Sequence, residues 1–189
     1  MKIDRTLIKK CLKGDEKAYY QLYTLCFSIL MSVCVRYYRN KEEASPVLNQ
    51  AFLRITQNLD KYHSEVPWDR WIKRIMINSI INEYKSHKKN KEVFVPTNFD
   101  SNNEQFDNYS VNDIVSQIDV DHIKSFIHQL PNNQKEVFNL YAIDGYTHQE
   151  ISVLMDIPLG TSKWLLAEAR KKLKGMISHS LNINKAIAI

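Results

Sequence analysis

The chain has 189 residues, a net charge of +5 and 44% apolar residues, enough to bury one larger core or two small ones without disulfide or metal staples. Its cysteines, Cys11, Cys26 and Cys34, form no CxxC pair and no leader segment is apparent, so reduced thiols in a cytoplasm are expected. No apolar run approaches the roughly 20 residues that span a bilayer, and scarce glycine and proline with apolar spacing of helical period argue for an all-α fold of two small helical domains.

Residues 1–13 form a short amphipathic segment carrying Ile3, Leu7, Ile8, Cys11 and Leu12, and Gly14-Asp15 interrupts it. A long helix follows to about Tyr38, with Phe27, Leu30, Met31, Cys34, Val35 and Tyr38 recurring at helical spacing as its expected inner face. A third helix is expected from Ser45-Pro46, with Ser45 capping and Pro46 preset for the first turn, to about Asp60. Val47, Leu48, Ala51, Phe52, Ile55 and Leu59 make its buried face. Leu53 falls on the opposite side among Asn49, Gln50 and Gln57, with Arg54 nearby, and is either an ordinary exposed leucine or the knob of a protein-docking face.

Residues 62–67 read as a loop before a fourth helix over 68–88 that is apolar nearly all round. Its one polar stripe runs through Trp71, Arg74, Asn78, Asn82 and Lys85, which places an indole, two amides and two cations in line. Aromatic stacking, amide readout and phosphate pairing are what single-stranded or melted nucleic acid asks for. Between Lys91 and Lys124 there is no basic residue, while Glu92, Asp100, Glu104, Asp107, Asp113, Asp119 and Asp121 recur among many Asn and Ser. This acidic, Asn-rich stretch is a linker, studded with Val93, Phe94, Phe99, Phe106 and Tyr109; docked chain and free tether are both open for it.

Residues 130–174 read as a helix-turn-helix. Thr147 and Glu150 have the spacing of a capping box, Ile151, Leu154 and Met155 supply an apolar stripe, and residues 156–160, with Pro158 and Gly160, break it. In the second helix Leu165, Ala169, Leu173 and Met176 share one side and Trp164, Ala167, Lys171 and Lys174 the other, so Thr161, Ser162, Lys163 and Trp164 stand where such a helix meets base edges. A helical hairpin with a solvated basic face is the plainer alternative.

The order of these parts resembles a sigma factor of the extracytoplasmic-function group, within the sigma-70 family. Lys13-Gly14-Asp15, Ala18 and Leu22-Tyr23 look like the family's opening, Phe52-Leu53-Arg54 like its third helix, and residues 71–78 like its promoter-reading helix. Leu130-Pro131, Val137-Phe138, residues 145–151, residues 160–163 and residues 169–173 match its last region. The resemblance implies three parts: residues 1–90 binding core RNA polymerase and reading and melting the minus-ten element, a linker over 91–118, and residues 119–180 reading the minus-thirty-five element. It assigns Tyr62, His63, Ser64, Trp71, Arg74, Asn78, Asn82 and Lys85 to minus-ten DNA. Thr147, Thr161, Ser162, Lys163, Trp164, Arg170 and Lys171 fall to the minus-thirty-five element, and Leu48, Asn49, Gln50, Leu53, Arg54 and Gln57 to polymerase.

The chain departs from the family where Ser45, Pro46, Asn49 and Gln50 replace carboxylates on the polymerase-facing helix, and where Trp164 and Glu168 enter the recognition helix. A reader with few base donors is expected to lean on a DNA-bound recruiter, and an anti-sigma factor is a further expected partner. No enzyme, cofactor or metal is expected, since the six histidines show no HExxH or Cys/His spacing and no phosphate loop occurs. A helix-turn-helix regulator acting alone is the alternative function.

Overall fold

A computed structural model describes residues 3–90 and 120–187, with side chains over 3–86 and 122–180; the linker expectation therefore lies outside the described residues. The described residues contain helices and turns and no strand. The chain divides into two compact units, Met1–Glu92 and Val93–Ile189.

In the first unit, α1 (Arg5–Leu12) is capped by Asp4, whose carboxylate accepts from the Thr6 amide at 2.8 Å. Gly14 takes φ +82°, a conformation open to glycine at little cost, and turns the chain so that Asp15 caps α2 (Glu16–Cys34) through the Ala18 amide at 3.1 Å. The helix stops at Cys34, four residues short of the expected Tyr38. Beyond it the Tyr38 hydroxyl donates to the Glu83 carboxylate, tying the turn to α4 (Trp68–Asn90).

The inner face of α2 also differs from expectation. Leu22, Cys26, Leu30, Val33 and Cys34 are buried, whereas Phe27 and Val35 are more than a third exposed. The buried residues pack where α2 meets α1, α3 and α4, and Met31 is buried with them.

α3 (Lys41–Gln57) begins before the expected start. Asn40 caps it, accepting from the Glu43 amide at 2.8 Å while its own amide donates to the Glu43 carboxylate at 3.1 Å. Ser45 is not the cap; its hydroxyl donates to the Lys41 carbonyl at 2.6 Å. Pro46 lies inside the helix, solvent-exposed, and forfeits the amide that would meet the Glu42 carbonyl. The acidic first turn, Glu42 and Glu43, and the Asn40 cap outweigh that loss. The helix ends at Gln57 and a short 3-10 turn, Leu59–Lys61, follows. Val47, Leu48, Ala51 and Ile55 face α4, whose Trp68, Ile72, Met76, Ile80 and Ile81 complete the core; the buried cysteine thiols lie in it, with Cys34 Sγ 3.9 Å from Met76 Sδ.

The second unit holds α5 (Val120–Gln129), α6 (Asn132–Phe138), α7 (His148–Met155) and α8 (Leu159–Ile187). A single wide turn of π type, Asn139–Ile143, extends α6, and Gly145 at φ +76° closes it as Tyr146 N–H donates to the Leu140 carbonyl at 2.9 Å. Ile127, Leu130, Ala169 and Leu173 form one cluster under α5, with Ile123, Phe126, Phe138 and Met176 packed against it.

Glu136 on α6 is buried, one carboxylate oxygen has no hydrogen-bond partner, and burial pushes its pKa up to about 7 against the opposing pull of Lys135. A folded pKa above the unfolded value contributes stability below about pH 4.5 that is lost as pH rises through about 7. Glu136→Gln should therefore flatten that pH dependence and gain about 3 kcal/mol over the parent chain well above neutrality, as read by urea unfolding on both sides of pH 7. An unchanged pH profile would show that Glu136 does not titrate there.

Candidate nucleic-acid interface

The polar stripe on α4 reaches solvent along its whole length. Arg74 and Asn82 are exposed, and Trp71, Asn78 and Lys85 are half-buried. Ile72, Met76, Ile80 and Ile81 hold the opposite face in the core, so the stripe cannot rotate inward without exposing them.

At its N-terminal end Tyr62, Trp68 and Trp71 form an aromatic triad, with ring centroids 5.0 Å (Tyr62–Trp68), 5.2 Å (Tyr62–Trp71) and 5.2 Å (Trp68–Trp71) apart. Trp68 is fully buried and anchors the other two rings. The Tyr62 hydroxyl donates to the Val66 carbonyl at 2.9 Å and closes the loop over 62–67. Arg5 donates to the Ser64 hydroxyl, bracing the loop against α1, while His63 stays exposed. The result is a rigid aromatic wall beside a polar loop, a surface on which an unstacked base can rest.

The α3 face is partly as expected and partly not. Asn49, Gln50 and Gln57 are exposed and Leu53 is 55% exposed. Leu48 is a correction: at 1% exposure it belongs to the core and can touch no partner, because it lies on the side of α3 that meets α4. Arg54 is half-buried and donates to the Ser79 hydroxyl at 3.2 Å, which turns it toward α4. An aromatic extension went unseen in the sequence. Tyr23 on α2 packs edge-on against Phe52 at 4.9 Å, lies 5.8 Å from Phe27, and reaches Asn49 with its hydroxyl at 3.3 Å. Exposed Tyr20, one turn earlier on α2, adds a further ring to this helix.

In the second unit the Thr147 capping box is formed: the Glu150 amide donates to Thr147 Oγ1 at 3.2 Å and the Thr147 amide to Glu150 Oε2 at 2.8 Å. The Thr147 hydroxyl also donates to Glu150 Oε2 at 2.8 Å, which occupies the group expected to meet DNA. The turn between α7 and α8 is made by Asp156, left-handed at φ 56°, with the Ile157 amide bonded to the Ser152 carbonyl at 3.1 Å. Gly160 is therefore not the turn residue; it sits inside the first turn of α8, which starts at Leu159.

The inner face of α8 is the expected one, with Leu165, Ala169 and Leu173 buried, and Ser162, three and seven residues before Leu165 and Ala169, lies on that same face. Ser162 is fully buried, so it cannot read a base edge. Its hydroxyl lies 2.9 Å from His148 Nδ1 instead. Lys163, Arg170 and Lys171 are exposed and Thr161 and Trp164 half-buried, leaving cations as the main outward groups. His148 is half-buried and stacked on Tyr141 with centroids 4.5 Å apart and planes at 27°. Arg170 lies 5.6 Å from the centroid of the same tyrosine. Burial, then Lys163 and Arg170, hold the His148 pKa below the ordinary histidine range. Tyr141, His148 and Ser162 stand on three separate elements, the π turn, α7 and α8, so the face pattern of no single helix joins them.

Among the described residues no cluster of His, Cys, Asp or Glu could hold a metal ion, and no helix is long and apolar enough to cross a membrane.

Comparison with known proteins places both units. Residues 22–90 match the family model described as Sigma-70 region 2, and residues 122–173 match Sigma-70, region 4. An "ECF RNA polymerase sigma-E factor" of Haemophilus influenzae is 22% identical over 185 residues, covering 92% of this chain and 95% of that protein. The "ECF RNA polymerase sigma factor SigW" of Bacillus subtilis is 26% identical over 176 residues, covering 88% and 92%. Among solved structures, the sigma factor RpoE of Bartonella quintana, in complex with the anti-sigma factor NepR, shares the fold at a TM-score of 0.51 and 16% identity, covering 86% of this chain and 98% of that one.

Proposed function

Because the chain belongs to the sigma-70 family of RNA polymerase sigma factors, in its extracytoplasmic-function group, we propose that it binds core RNA polymerase and directs promoter-specific initiation of transcription. The observation that carries this reading is the pair of matched regions, at 22–90 and 122–173, in the family's order on one chain. A regulator that acts alone would need only the second of them.

The roles divide by unit. Residues 1–90 hold polymerase through the α3 face and read and melt the minus-ten element through the α4 stripe and the loop over 62–67. Residues 91–118 link them to residues 119–180, which read the minus-thirty-five element through Thr161, Lys163, Trp164, Arg170 and Lys171. The protein is a binding and melting subunit with no chemistry of its own, and it works in the cytoplasm, where polymerase is. An anti-sigma factor is a partner that fits this class.

With Ser162 buried, Lys163 is the main base reader left in the first turns of α8, and one bidentate contact supplies only about 1–3 kcal/mol of discrimination. The upstream element is then weakly read, which supports dependence on a DNA-bound recruiter. Gel filtration of the chain with core polymerase tests the main reading. Co-elution is expected, and elution as two separate species would overturn it.

A further inference from the structure

The contacts that bury Ser162 also build a site. His148 stands at the first residue of α7, directly after the Thr147 cap that takes the Glu150 amide. Its Nδ1 is taken by the Ser162 hydroxyl, and its ring is held flat against Tyr141. That leaves Nε2 as the polar atom of a ring whose position is fixed on two sides. Arg170 is held 5.6 Å from the centroid of Tyr141, the ring on which His148 stacks, and Lys163 follows Ser162 on α8, so the charges of both act on the imidazole. On its own helix the nearest carboxylate, Glu150, is turned back to Thr147. Cations are thus gathered where α7 meets α8, around a base that can carry a proton.

We propose that His148, Lys163 and Arg170 form a phosphate-binding cluster for the DNA backbone beside the upstream element, and that filling it places a proton on His148. The inference rests on reading α7 and α8 as the upstream DNA reader. In that geometry the first helix crosses the phosphate backbone while the second enters the groove. Without an anion, burial and the two cations disfavour the protonated imidazole. A phosphate neutralises the cations and accepts from the protonated Nε2, so binding takes up a proton and tightens as pH falls. His148 works here as a direct contact and Ser162 as a positioning residue that fixes the ring.

Phosphate contacts are independent of sequence, so a short duplex of mixed sequence is a sufficient probe. In the full-length protein, the His148 imidazole followed by NMR should titrate at higher pH with the duplex than without it. Binding by fluorescence anisotropy at low salt should be roughly three- to tenfold tighter near pH 6 than near pH 8, as expected where one site takes up one proton on binding. His148→Phe keeps a ring against Tyr141 and should bind the duplex with little pH dependence. Ser162→Ala should weaken binding less and leave part of the pH dependence.

A His148 titration that the duplex leaves in place overturns the proposal without recourse to any variant. So does a His148→Phe protein that keeps the parent pH dependence, since the source would then lie elsewhere in the chain. Both outcomes leave co-elution with core polymerase untouched, so failure of this cluster is distinguishable from failure of the sigma-factor reading.

Discussion

Replacing Asn78 and Asn82 together by alanine is expected to abolish promoter opening while leaving polymerase binding intact. Both amides lie on the solvent side of α4, in line with Trp71, Arg74 and Lys85, and neither contributes to the core formed by Ile72, Met76, Ile80 and Ile81. Alanine is also the better helix former, so the substitutions do not unfold α4. An amide that reads a base edge contributes about 1–3 kcal/mol of discrimination, so losing two removes about 2–6 kcal/mol from the opened complex. That corresponds to a loss of roughly thirtyfold to ten-thousandfold at 1.4 kcal/mol per decade. Permanganate footprinting of thymines near the start site measures opening directly. Opening by the double variant at the parent level would remove the stripe from the promoter contact.

The second large effect is expected from Leu53→Asp, with the opposite pattern. Leu53 is 55% exposed, so an aspartate there costs the folded chain little, and the unfolding midpoint should stay where it is. In the complex with polymerase the same change buries a charge in an apolar contact. Truncating or charging a central residue of such a contact costs about 2–4 kcal/mol, roughly thirty- to a thousandfold in affinity. The surroundings of Leu53 make this harsher than in a charged interface. Asn49, Gln50 and Gln57 offer no cation to pair with the new carboxylate, and Arg54 is already turned toward Ser79. The edge formed by Tyr23, Phe27 and Phe52 extends the apolar surface on the α2 side. Binding of labelled chain to core polymerase by anisotropy reads the loss, and parent-level binding would place the docking face elsewhere.

Apolar periodicity made the helices and their order legible, because Leu22, Leu30, Ile55, Ile72 and Met76 must all be hidden from water and can be hidden only on one face. Local polar chemistry was legible where donor and acceptor are close in sequence, as in the Thr147 and Glu150 box. Cap competition was not. Ser45 is a good cap in isolation, but Asn40 with an acidic turn behind it starts the helix earlier and carries Pro46 into its interior. The same kind of error misplaced the recognition helix: Gly160 looks like a turn residue, yet Asp156 accepts the left-handed conformation and α8 begins sooner. Ser162 meets His148 and not a base because it lies three and seven residues before Leu165 and Ala169, on the face they bury. Leu48 shows the limit of carrying a docking role over from a resemblance, since the apolar period of α3 alone already puts it on the buried face, where the structure has it.

The central claim is that this chain gives core polymerase a choice of start sites. Transcription of sheared genomic DNA from the source organism by core polymerase, with and without the chain, followed by sequencing of RNA 5′ ends, tests it most directly. The account predicts a small set of new start sites that appear only with the chain, share a common minus-ten sequence, and vanish with the Asn78→Ala, Asn82→Ala protein. Identical 5′ ends with and without the chain would contradict it.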